Sequence, residues 1–121
     1  MGVTGLLVDM FRTPSSFADD PRGATINQGG HAGFGMLVAW YFGMWALPFI
    51  AVLYAAWEAV QWRRYGGDDW DCVQDWCFVM TGAVAAAMEP VAPWAITVAH
   101  FVILAAWLLA GYLRRVDAAS G

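Results

Sequence analysis

From Ala32 to Trp57 the sequence carries no charged side chain, and Pro48 is the one proline in that run. A helix rises about 1.5 Å per residue and needs roughly 20 apolar residues to cross a bilayer. The run is long enough to span with tilt, and too long and too apolar for the core helix of a water-soluble domain. Composition agrees. A hydrophobic fraction of 60%, against roughly 45–50% in soluble domains, leaves little polar surface to solvate a globule. The sequence therefore predicts an all-α integral membrane protein of a single domain.

Charge and cysteine content narrow the class further. The net charge is −4 and every basic residue is arginine. No basic stripe of the kind that neutralises phosphates is present, which argues against nucleic acid as a partner. Cys72 and Cys77 match neither a redox nor a zinc spacing and have no histidine nearby, so they read as packed thiols. Met1 to Arg12 has no early positive charge and Asp9 interrupts it, unlike a signal peptide. Met1-Gly2 lacks the Ser or Thr that myristoylation wants at the sixth position, where Leu6 stands.

Val3, Leu6, Leu7, Met10 and Phe11 recur at helical spacing and predict an N-terminal amphipathic helix, lying in the headgroup plane or docked on another subunit. Thr13 to Gly30, rich in Pro, Gly and Asp, reads as a linker, so that 1–30 is a helix with its linker and 31–121 the transmembrane domain. Pro48 removes a backbone donor and disfavours helix at Leu47. A break there, however, gives two spans of only roughly fifteen residues and a turn that strands backbone groups in hydrocarbon. One kinked helix over 33–62 is preferred, with four helices in all if the run breaks at Pro48. The other spans fall at 71–88, rich in small residues from Thr81 to Ala87, and at 94–113, after a turn at Glu89-Pro90-Val91-Ala92-Pro93. About three transmembrane helices result.

Arg63-Arg64 and Arg114-Arg115 flank spans on one side, and the positive-inside rule places that side in the cytoplasm. The expected setting is a bacterial inner membrane with a cytoplasmic C-terminus and an external N-terminus, although Arg12 and Arg22 would then be exported. The chain is tryptophan-rich. Trp57, Trp62, Trp70, Trp76 and Trp94 fall at span boundaries, where amphipathic rings favour the interface. Trp40, Trp45 and Trp107 fall deeper.

The one dense polar constellation runs from Glu58 and Gln61 through Asp68, Asp69, Asp71 and Asp75. It could hold a divalent cation, relay a proton or grip a lipid headgroup. The plain alternative is a solvated loop, with Asp71 and Asp75 favouring a helix start and Arg63 or Arg64 pairing with Glu58. His100, near the middle of the last span, is either functional or satisfied by one interhelical hydrogen bond, to Thr81 or Thr97. His31, at the start of the first span, has a weaker claim. Gly35, Gly43, Gly82 and Ala86 offer small faces for close helix packing. No nucleophile with its base, phosphate loop, haem pair or metal ligand set stands out.

His31 at the start of a span, Glu58-x-x-Gln61 at the end of an apolar segment, and an Asp-bearing helix start (Asp71, Asp75) leading to Gly82 resemble the VanZ-like family. These are small polytopic bacterial membrane proteins, some linked to glycopeptide resistance, without a settled catalytic mechanism. The resemblance covers Gly30 to Gly82. It departs in lacking an apparent first span, at Asp75, where the family favours asparagine, and in the intervening loop. It implies a membrane protein in which the acidic cluster matters. Phage holins of the three-span type share the size, the external N-terminus and the basic tail.

The leading expectation is a noncatalytic membrane subunit that packs laterally into a larger assembly or a homo-oligomer, as scaffold or lipid seal. Its partners are membrane lipids and other membrane subunits or itself. No cofactor is identified, though a bound lipid or pigment fits this setting. The second expectation is a VanZ-like interfacial lipid-binding protein or enzyme using Glu58, Gln61, Asp71 and Asp75. The third is a holin-like pore-forming protein.

Overall fold

The computed structural model describes Val3, Phe17, 19–66 and 68–120. The amphipathic helix expected over Met1–Arg12 lies outside these residues apart from Val3. Four helices follow in order: α1 (Pro21–Phe42), α2 (Ala46–Tyr65), α3 (Asp69–Met88) and α4 (Trp94–Ser120). No strand occurs among the described residues.

Two sequence expectations are corrected at the start of the chain. The first is the linker, which ends at Asp20, because 21–30 is already helix. Asp20 caps α1, its side chain accepting from the Gly23 N–H at 2.9 Å. Pro21 takes the first helical position, where a missing N–H costs nothing. Thr25 Oγ1 returns a hydrogen bond to the Pro21 carbonyl at 2.8 Å.

The second correction concerns the single kinked span over 33–62. The chain breaks, at Gly43 rather than at Pro48. Gly43 has φ +73°, a region closed to most side chains, and its N–H closes onto the Ala39 carbonyl at 2.7 Å. Ala46 N–H then bonds the Gly43 carbonyl, and Leu47 N–H the Met44 carbonyl, so the turn satisfies its own backbone. Pro48 is the third residue of α2, within the first turn whose N–H groups lack intrahelical acceptors anyway. Starting α1 at Pro21 also removes the length objection, since α1 and α2 are each about 30 Å long.

The remaining elements follow the sequence closely. Asp68 caps α3 by accepting from the Trp70 N–H at 3.1 Å, and Asp69 and Asp71 sit at its positive end. Glu89–Pro93 forms the turn. The last helix runs past Arg114-Arg115 to Ser120.

The helices alternate in direction. Gln28 meets Gln74 and His31 meets Asp75, so α1 and α3 run parallel. The Trp76 indole N–H donates across to the Ala51 carbonyl at 2.9 Å, with α2 antiparallel to α3. Arg22, Arg63, Arg64, Arg114 and Arg115 consequently gather towards one end of the bundle.

The closest packing joins α1 to α3. A Cβ at Gly35 would fall on the Val79 carbonyl, and one at Gly82 on the Ala32 carbonyl. These two glycines let the backbones touch. Around them lie Ala39, Val79, Ala83 and Ala87, with Ala46 and Ile50 from α2. On the other flank Ala32, Phe78 and Leu104 form a second cluster, where Phe78 stacks on Trp107 at 4.2 Å.

Polarity is inverted relative to a water-soluble bundle. Asn27, Gln28, His31, Glu58 and Asp75 are buried, whereas Trp40 is 76% exposed and Trp45 86%. Leu37, Phe49, Val52, Leu53, Val102 and Ile103 are also exposed. Among the described residues one helix, α4, is long and apolar enough to cross a bilayer, with mean hydropathy 2.0 over a window that is 11% buried.

Candidate functional site

Three residues from three helices converge about 10 Å inside the arginine end: His31 on α1, Glu58 on α2 and Asp75 on α3. They are 5%, 5% and 3% exposed. One donor atom from each lies within 4.8 Å of the other two. The parallel run of α1 and α3 sets His31 beside Asp75, with Nε2 at 3.5 Å from Oδ2. The antiparallel hairpin of α2 and α3 brings Glu58 opposite Cys72, one turn before Asp75.

The hydrogen bonds around the cluster define its state. His31 Nδ1 lies 2.8 Å from the Asn27 carbonyl oxygen. A carbonyl can only accept, so Nδ1 carries a hydrogen and donates it. In the neutral ring Nε2 is then a bare lone pair. It faces Asp75 Oδ2, which is also an acceptor when ionised. A proton or a cation is needed between them. The Cys72 thiol donates to the Glu58 backbone carbonyl at 3.8 Å, and the carboxylate Oε1 of Glu58 has no partner. Asp75 Oδ1 is likewise buried without a partner. Tyr54 sits edge-on to the His31 ring, centroids 6.0 Å apart. Gln28 Nε2 donates to Gln74 Oε1 at 3.1 Å on the side nearer the arginine end. The Arg115 guanidinium donates to the Gly111 carbonyl at 3.3 Å.

An apolar groove of about 850 Å³ opens beside this cluster, between α1 and α2. Small-molecule sites run to roughly 300–1,000 Å³. His31, Tyr54 and Gln61 lie at its polar end. Val38, Phe49 and Leu53 form its walls, and Phe42 and Trp45 its far end. From His31 to Phe42 it runs about 16 Å along α1. A smaller recess between α2 and α3, lined by Glu58, Asp69 and Cys72, reaches the cluster from the loop side.

The acidic constellation read in the sequence therefore divides. Glu58 and Asp75 point inward, Asp71 is half-buried on α3, and Asp68 and Asp69 stay at the surface. Arg63 and Arg64 are exposed, whereas Glu58 lies in the buried cluster with His31 and Asp75. Gln61 is half-buried at the groove mouth. Gly35 and Gly82 serve packing within the chain, whereas Gly43, expected on a packing face, forms the turn that ends α1. Ala86 is half-buried against the first core cluster. His100 is half-buried on α4, apart from the cluster. Trp57, Trp62, Trp70 and Trp94 are exposed, and Trp76 instead braces α3 to α2. Cys72 and Cys77 are free thiols.

His31 has only a weak claim in the sequence reading, and Tyr54 is absent from it. The available signal was spacing: Asn27 and His31, Tyr54 and Glu58, and Asp71 and Asp75 are each four apart and share a helix face. Comparison of this chain with protein-family models, curated proteins and solved structures finds no match.

Proposed function

We propose that this chain is a small helical membrane protein whose α1–α2 groove holds a lipid-like amphiphile, with the polar head at His31, Tyr54 and Gln61. The groove carries this reading: it joins a buried polar cluster to about 16 Å of continuous apolar wall. A single leaflet of hydrocarbon is roughly 15 Å deep. The inverted polarity of the bundle supports a lipid surrounding, because exposed Trp, Phe and Leu cost little in hydrocarbon and a buried polar interior does not compete with water. On this reading α1, α2 and α3 cross alongside α4, their polar residues turned inward. The common arginine end then faces the cytoplasm. That end includes Arg22, which a three-span layout would export.

Three of the positions that carry the VanZ-like resemblance, His31, Glu58 and Asp75, meet in the cluster. The lateral-subunit reading leans on small residues that this chain largely uses internally, at Gly35 and Gly82. The experiment is titration of detergent-solubilised protein with a naturally fluorescent polyene fatty acid, read by energy transfer from Trp45 and Trp57. Saturable binding is expected, weakened at least tenfold in Leu53→Trp, which fills the groove. Non-saturable partitioning that is identical in the variant would refute the reading.

A further inference from the structure

We propose that His31 Nε2 and the carboxylates of Glu58 and Asp75 form a binding site for one divalent transition-metal ion. The first observation is the donor set itself. One imidazole nitrogen and two carboxylates, each more than nine-tenths buried, come from three different helices to within 4.8 Å of one another. Three protein ligands with a position left for water or substrate is the arrangement of a zinc site that does chemistry.

The second observation is independent of proximity. Glu58 Oε1 and Asp75 Oδ1 are buried oxygen atoms without a hydrogen-bond partner. A buried carboxylate oxygen left unmatched is costly, and a cation is the partner that satisfies several at once. The charges also match. Two carboxylates and a neutral imidazole carry two negative charges, which a divalent ion cancels in a low-dielectric interior.

The third observation is the hydrogen bond behind the histidine. Metal-bound histidines characteristically donate the other ring N–H to a carbonyl or carboxylate, which fixes tautomer and ring orientation. Here Nδ1 donates to the Asn27 carbonyl at 2.8 Å and leaves Nε2 free to ligate.

Scale is consistent with a small ion. Metal–nitrogen and metal–oxygen bonds of about 2.0–2.2 Å put neighbouring ligands of a tetrahedron roughly 3.4 Å apart. The His31–Asp75 separation of 3.5 Å already has that value. Glu58 needs only a modest side-chain movement to join it. The imidazole favours Zn²⁺ or Fe²⁺ over Ca²⁺ or Mg²⁺, which take all-oxygen sites. The recess bounded by Asp69 and Glu58 supplies a route in from the loop.

The experiment strips the detergent-purified full chain with a chelator, then titrates it with Zn²⁺ and, separately, with Co²⁺ as a spectroscopic probe. About one equivalent of Zn²⁺ per chain is expected, together with a visible Co²⁺ absorption of low-symmetry coordination. His31→Gln, Glu58→Gln and Asp75→Asn should each lower the affinity at least about 100-fold and abolish the Co²⁺ band, with circular dichroism showing that each variant keeps its helices. His100→Gln, away from the cluster, should change neither. Wild-type protein that takes up far less than one equivalent would overturn the assignment. So would undiminished binding in the three variants, which places the ion elsewhere, for example at Asp68 and Asp69. Metal content is read without lipid, so failure of the groove reading leaves this site standing, and the converse also holds.

Discussion

Helix α1 meets α3 on one flank and α2 on another, and the two junctions are built from opposite materials. Towards α3 it presents Ala32, Gly35 and Ala39, and the facing helix answers with Val79, Gly82 and Ala83, so the backbones touch. Towards α2 it presents Phe34, Val38 and Phe42, opposite Phe49, Leu53 and Trp57, and the helices stand apart. Small residues gain dispersion through close approach. Large ones hold the helices open and leave a groove. One helix therefore supplies both the rigid seam of the bundle and the wall of its cavity. The polar cluster sits where seam and groove meet, which ties its geometry to the stiffer of the two.

The sharpest way to break this contrast is to overfill the seam. Gly82→Leu drives a side chain into the Ala32 carbonyl and should destabilise the protein by about 3 kcal/mol, near the upper end for overpacking. Unfolding in a graded series of denaturing detergent measures it. If Gly82→Leu is tolerated, the seam is not where the helices are held.

His31→Ala comes next. It leaves Asp75 Oδ2 without its neighbour in the buried cluster, and should cost about 2 kcal/mol in the same assay. Asp20→Ala removes the cap that starts α1 at Pro21, with an expected loss of about 1 kcal/mol. Amide exchange should show the effect confined to the first turn of α1.

The smallest stability effect belongs to the groove. Leu53→Ala trims a side chain that is 68% exposed, and should change stability by less than about 0.5 kcal/mol. Binding of the fluorescent fatty acid should nevertheless fall several-fold. A seam-sized stability loss at Leu53 would erase the distinction between the two junctions.

The sequence conveyed the helical class, α3, the Glu89–Pro93 turn and the start of α4, because apolar runs and turn residues sit close together there. It favoured one kinked helix over 33–62, with a break at Pro48 as the alternative, because two half-length spans looked too short to cross a bilayer. Pro21 and Pro48 both fall in first turns, where proline starts helices, and the true breaker is Gly43 with its positive φ. Asp20-Pro21 was a readable start signal, outweighed by the glycines that follow. Glu58 and Asp75 stood out through the cost of placing a carboxylate beside apolar sequence. Their convergence with His31 depends on which helices run parallel, and that follows from the close approach of Gly35 to Val79 and of Gly82 to Ala32, which no local pattern reveals. The groove depends on the same long-range choice.

The groove opens along the flank of the bundle, between Phe34 on one helix and Leu53 on the next. On the proposed reading of this chain as a membrane protein, a molecule dissolved in the surrounding hydrocarbon reaches such an opening by sideways diffusion in two dimensions. Occupancy is then governed by the mole fraction of that molecule in the membrane. Even weak contacts fill the groove when the occupant is an abundant component of the leaflet, and its aqueous solubility has no bearing on the outcome.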